Sequence, residues 1–196
     1  MKNKNMKTVN KSIATIALTT MIIVTISCKD EKKGSEVSLE EIEMNDAKKM
    51  SMSASEKVKV ETILSDYFNL KNALVDDDND KAKTLGNTLA KSLSSLDQSQ
   101  YSENQLEKLA SIIADATEQS KHISEADIVK QREYFKILSK DLTNMVAFTG
   151  TENTLYQQFC PMYDDGSAWL SKSDNIKNPY YGSKMLTCGK VQKEIN

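Results

Sequence analysis

Apolar residues recur at three- and four-residue steps from Ser55 to Gly150, and then the rhythm stops. Such spacing puts one face of a helix against a core. The first stretch opens with Ser55 as a cap and carries Val58, Ile63, Tyr67, Leu70 and Leu74 on one predicted face. The polar run Asp76-Asp77-Asp78-Asn79-Asp80 breaks it. That run has neither the glycine nor the closing glutamate of a calcium-binding loop, so it reads as a solvated turn and the cap of the next helix. The second helix is predicted over about Asp80 to Leu96, with Ala82, Leu85, Leu89, Leu93 and Leu96 as a narrow seam. Gly86 lies within it and would let another helix approach closely. The third begins at Ser102 or Glu103, turns Leu106, Leu109, Ile113 and Ala116 inward, and ends just before His122. Ser124 and Asp127 have the spacing of a capping box for the fourth. The fourth is predicted over about Glu125 to Phe148, with Ile128, Phe135, Leu138, Leu142 and Met145 inside and Gly150 as its stop. Short connections between four amphipathic helices predict an all-α fold, an antiparallel four-helix bundle running up-down-up-down.

The two ends depart from this pattern in different ways. Residues 1–28 read as a lipoprotein signal peptide: Lys2, Lys4, Lys7 and Lys11 precede an apolar run, Ile13 to Ile26, that is short for a membrane span. It closes on Thr25-Ile26-Ser27-Cys28, which resembles a lipobox with threonine where leucine is usual. Cys28 is therefore the expected site of lipidation, and the expected location is the cell envelope, with the mature chain held to a membrane by its lipid. An uncleaved anchor and an ordinary secretory signal are the alternatives. Residues 29–53 are charged, small and poor in large apolar groups, the composition of a flexible tether. Met44, Met50 and Met52 within it read as the approach to the first helix. Residues 54–196 form the predicted domain, of which 151–196 are an irregular cap folded onto the helices, with a short hairpin as an option.

Composition narrows the function. Charged residues make up 28% and aromatics 6%, with 6 glycines and 2 prolines, which favours helix. The whole chain carries a formal charge of −2. Loss of the four leader lysines takes the 26 basic groups to 22 against 28 acidic ones, a net of −6. A mildly acidic chain with no basic block has no electrostatic footprint for nucleic acid.

Candidate chemistry is concentrated between Phe159 and Val191. This segment holds both prolines, the single tryptophan and two of the three cysteines. Cys160-Pro161-Met162 and Met185-Leu186-Thr187-Cys188 bracket it, each with one thiol and one thioether. In extended backbone Cys160 and Met162 would share a face, and one helical turn would put Met185 beside Cys188. Four sulfur groups would then converge on a soft ion, Cu(I) or Ag(I). His122, the only histidine, is a further candidate ligand, although a histidine near a helix end also serves as a partner for terminal carbonyls. The competing reading is one structural disulfide between Cys160 and Cys188, as expected for two cysteines in an exported chain. It would close a loop of about 28 residues and stabilise by roughly 3 kcal/mol. No second histidine, phosphate loop or CxxC pair is present, so no enzyme is expected. Trp169 reads as the anchor of the cap.

The succession CPM (160–162), WLS (169–171), NPYYG (178–182) and ML-CG (185–189) resembles the C-terminal signature of the DUF3347 family. Gln131-Arg132 and Phe135-Lys136-Ile137-Leu138-Ser139 are similar to its QR-x-x-F-x-x-LS stretch. The resemblance spans roughly Ser55 to Ile195 and is most specific over the final 40 or so residues. It implies an extracytoplasmic protein, often a lipoprotein or a domain fused to a heavy-metal efflux adaptor. Copper or silver handling follows from that context, with an efflux adaptor or another metal carrier as partner, and no catalytic activity comes with it.

Overall fold

The computed structural model describes residues 53–99 and 101–196. The export segment, Cys28 and nearly all of the tether, Met44, Met50 and Met52 included, lie outside these residues. Four helices come first: α1 (Ala54–Val75), α2 (Asn79–Ser94), α3 (Glu103–Glu125) and α4 (Ile128–Thr149). Among the described residues, no helix is long and apolar enough to cross a membrane.

The helices form for the reasons their spacing gives, with shifts at the ends. Ser53, rather than Ser55, caps α1, its hydroxyl accepting from the Glu56 amide at 3.2 Å. Val58 is 66% exposed. The stripe Ile63, Tyr67, Leu70 and Leu74 steps back by three to Val60, which is buried, whereas Val58 is five residues from Ile63 and falls off the face. Asp78 caps α2. Asp127 caps α4 directly, accepting from the amides of Val129 and Lys130. Ser124 therefore plays no capping-box role; it lies in the last turn of α3 and bonds the Lys121 carbonyl. His122 is inside α3, not beyond it. Gly150, at φ 70°, ends α4 as its pattern predicts. At Gly86 a Cβ would lie 2.8 Å from the Ser120 carbonyl oxygen, so α2 and α3 pack with backbone almost in contact.

Consecutive helices pack side by side, but α1 and α4 meet only briefly. The opening between them is filled by an element the helical pattern does not announce. After Gly150 the chain forms β1 (Leu155–Cys160), β2 (Ser167–Ser171) and β3 (Lys190–Ile195), an antiparallel sheet in the order β2-β1-β3. The fold is thus a four-helix arrangement completed by a small sheet, and not all-α. The β1–β2 hairpin pairs Cys160 with Ser167 and Gln158 with Trp169. β3 pairs with the other edge of β1, with an irregularity at Gln157/Gln158. β2 packs on α4. The Tyr67 hydroxyl ties three elements: it accepts from the Leu170 amide at 3.1 Å and lies 2.8 Å from the Ser139 hydroxyl. Trp169 is fully buried, edge-on to Tyr180, which in turn contacts Phe135 of α4.

Candidate functional site

The site is built where the end of β1 meets the last turn before β3. Cys160 closes β1 and is completely buried. From Tyr181 the chain enters a 3-10 turn, Gly182–Met185, and the Cys188 amide then donates to the Met185 carbonyl at 3.0 Å. Asn178, buried, holds this turn from inside: its side-chain amide donates to the Cys188 carbonyl at 2.7 Å, and its backbone amide donates to the Leu186 carbonyl at 2.8 Å. The side-chain carbonyl of Asn178 accepts from the amides of Tyr180 and Tyr181, so one buried asparagine shapes the whole NPYYG stretch.

These restraints bring Sγ of Cys160 to 3.2 Å from Sγ of Cys188, with no covalent bond between them. A disulfide would need about 2.05 Å. Cys188 is only half-buried, so the pair has one thiol in the core and one at the surface. Cys160 beside it pushes the Cys188 thiol above its ordinary range, and burial adds to the effect. Two thiols this close share a proton readily, but a second negative charge next to the first is unfavourable.

The other expected ligands are placed less tightly. Met162 is not in extended backbone: β1 ends at Cys160, and residues 161–166 form the hairpin loop, where Asp164, Asp165 and Gly166 all have positive φ. Its carbonyl accepts from the Tyr181 hydroxyl at 2.7 Å, while the residue is 63% exposed. Met185 does stand one turn from Cys188, as its spacing predicts, and is 40% exposed. Among the described residues no hydrogen bond joins either thioether to a thiol. The two methionines are thus exposed residues, Met162 two positions after Cys160 and Met185 three before Cys188. His122 stacks on Tyr134 at 4.9 Å, and its Nε2 lies 3.5 Å from a Glu118 oxygen, contacts on the α3–α4 surface. Among the described residues, no group of three or more His, Cys, Asp or Glu side chains is gathered to hold a metal ion.

The support beneath this site went unread in the sequence. Arg132 of α4 is nearly buried and donates to the Pro179 carbonyl at 2.9 Å and to the Leu74 carbonyl at 2.9 Å. It also pairs with Asp77, whose other carboxylate oxygen accepts from the Ser183 amide at 3.0 Å. The bond with Ser183, helped by Arg132, lowers the Asp77 carboxyl to about 2. Asp77 is thus no bystander in a solvated turn; it sits at φ 58° and clips the 3-10 turn to the end of α1. Gly182 has φ +56°, and a Cβ there would overlap the Asp77 carboxylate and the Arg132 guanidinium. The legible signal was the QR-x-x-F-x-x-LS stretch itself. Gln131, Arg132, Phe135, Leu138 and Ser139 are all buried, and Gln131 donates to the carbonyls of Asn79 and Ile123.

The family model described as DUF3347, a protein family of unknown function, matches residues 63–154. The matched stretch runs from α1 to the eve of β1, and so covers the helices and stops before the cysteine motifs. No curated protein and no solved structure matches the chain.

Proposed function

We propose that this chain, whose residues 63–154 belong to the DUF3347 family, is an extracytoplasmic binding protein for a soft monovalent ion, Cu(I) or Ag(I). Cys28 would anchor it to a membrane through a lipid. Cys160 and Cys188 supply the thiolates, Met162 and Met185 the exchangeable thioethers, and His122 is the outlying candidate. The protein sequesters the ion or hands it to an efflux adaptor or another carrier, without catalysis.

One observation carries this reading: two unbonded thiols 3.2 Å apart, one buried and one partly exposed, each with an exposed methionine two or three residues away in sequence. Soft thiolate and thioether donors favour Cu(I). With metal–sulfur bonds of about 2.3 Å, as for a thiolate on zinc, sulfurs this close would subtend only about 90° at the ion. Loading an ion that prefers a wider angle would spread the pair, and the surface position of Cys188 permits that movement. Cation binding would also expel the thiol protons and remove the mutual repulsion that raises Cys188, so affinity should rise with pH.

The test is an anaerobic titration of the reduced protein with Cu(I) against a competing chromophoric chelator. One tight equivalent is expected, lost in the Cys160→Ser, Cys188→Ser variant. Met162→Ala and Met185→Ala should each weaken binding without loss of helicity. Equal binding by wild type and the double serine variant would overturn the reading.

The same 3.2 Å separation supports a second reading, a non-catalytic interaction domain whose cap is pinned by a Cys160–Cys188 disulfide. In that case oxidation raises the melting temperature, and copper does not restore the stability lost on reduction.

A further inference from the structure

The two thiols of the candidate site stand in unlike surroundings, and the difference gives the pair a direction. Cys160 ends β1 and none of it is exposed. Cys188 is partly exposed, and its backbone is held from both sides. Its amide donates to the Met185 carbonyl at 3.0 Å, and its carbonyl accepts from the Asn178 side chain at 2.7 Å. The next residue, Gly189, packs so closely that a Cβ there would come within 3.0 Å of the Phe159 carbonyl oxygen and 3.1 Å of the Trp169 ring. The turn therefore keeps its place, with part of Cys188 at the surface and its sulfur 3.2 Å from that of Cys160.

A thiolate attacks a disulfide sulfur and forms a mixed disulfide, which a second thiolate then resolves. The mixed disulfide needs room for the incoming group. At Cys188 the surface supplies it. At Cys160 the same group would have to enter the packed core. Cys160, already near contact with the Cys188 sulfur, is placed to resolve and not to receive. The neighbour that holds the Cys188 thiol up also makes its thiolate, once formed, the stronger nucleophile.

We infer that Cys188 is a modification site that undergoes exchange with a small disulfide of the glutathione class, and that Cys160 is the resolving thiol. In the first step the Cys188 thiolate attacks one sulfur of the small disulfide. A Cys188–glutathione bond forms, the small molecule's S–S bond breaks, and one glutathione thiolate leaves and takes up the proton that Cys188 gave to solvent. In the second step the Cys160 thiolate attacks Sγ of Cys188. The Cys160–Cys188 bond forms, and the second glutathione leaves and takes up the Cys160 proton. The pair loses two electrons and the small disulfide gains them. This order goes beyond a disulfide that merely pins the cap, and it needs no bound ion.

The test treats the metal-free full chain, with Cys28→Ser in every sample so that only the pair carries thiols, with glutathione disulfide. Acid-quenched time points are read by peptide mass mapping. The wild-type pair should pass through a transient adduct on Cys188 and finish as the internal disulfide with no glutathione retained. Cys160→Ser, with Cys160→Ala beside it in case the buried hydroxyl unsettles the fold, should keep one glutathione on Cys188. Cys188→Ser should react about a hundredfold or more slowly, because Cys160 is reached only when the cap opens, and urea should abolish the difference. A transient adduct on Cys160 in the wild-type pair, a wild-type pair that retains its glutathione, or a folded Cys188→Ser that reacts as fast as Cys160→Ser would overturn the assignment. Because no ion is present, none of these outcomes bears on whether the pair binds Cu(I).

Discussion

Individual side chains in this protein are constrained by how near their neighbours stand. Gly86 faces the Ser120 carbonyl across the α2–α3 contact with no space for a methyl group. Gly86→Ala should force the helices apart and cost about 1–3 kcal/mol, read from a shift in the urea midpoint at unchanged slope. The gain in helix propensity on replacing glycine, about 1 kcal/mol, is smaller than or equal to that strain. Asp141 of α4 is governed by solvent instead. Burial, with Asp115 adding like charge, raises its carboxyl to about 6, and its Oδ2 has no hydrogen-bond partner. Asp141→Asn should therefore stabilise the protein at pH 7, measured by thermal unfolding. Gly86 was legible as a close-approach position, because a glycine inside an apolar seam has few other uses. Asp141 was not, because a lone acid in a helix gives no sign of which neighbours will cover it.

At the scale of elements, the C-terminal segment is attached by polar groups as much as by its aromatics. Arg132 serves two backbone carbonyls and one carboxylate, and Arg132→Met leaves the Pro179 carbonyl without its donor and the Leu74 carbonyl with only the 3.4 Å bond from the Asp77 amide. Each unpaired buried acceptor costs about 1–3 kcal/mol. The expected result is early hydrogen exchange over residues 178–188, while α2 and α3 keep their protection. Gly182→Ala should give the same local pattern through overlap with Asp77. If either variant instead loosened α2 and α3 first, the latch would be of no account. The helices were legible to within a few residues at their ends, since an apolar face every three or four residues is written locally. The sheet was not. β2 is five residues long, β3 is exposed along most of its length, and the pairing partners are set by contacts far apart in sequence.

Below about pH 7, stability should depend on pH in two opposed ways. Asp141 binds its proton more tightly folded than unfolded, where its pKa is about 4, so stability should rise as pH falls from about 7 through 6. Asp77 is depressed, so its contribution is present above about 4 and is lost as pH falls from there toward 2. A stability optimum between about pH 4 and 6 is the expected outcome of a calorimetric series, and Asp141→Asn should flatten its alkaline side. Oxidation of the thiol pair should raise stability by roughly 3 kcal/mol on the chain-entropy model, since it closes a loop spanning 28 residues. Cys160→Ser should abolish that gain. By itself, the sequence determined the four helices, most of their buried faces, the stop at Gly150, and the presence of two sulfur-bearing motifs around a tryptophan anchor. These follow from short-range periodicity and from residue chemistry. Only the tertiary structure decided that a sheet fills the gap between α1 and α4, that Cys160 and Cys188 meet while Met162 and Met185 face solvent, and that Arg132, Asp77 and Asn178 hold them there. Those outcomes depend on which distant groups are left to satisfy one another's hydrogen bonds once the helices have packed, and no local pattern encodes that.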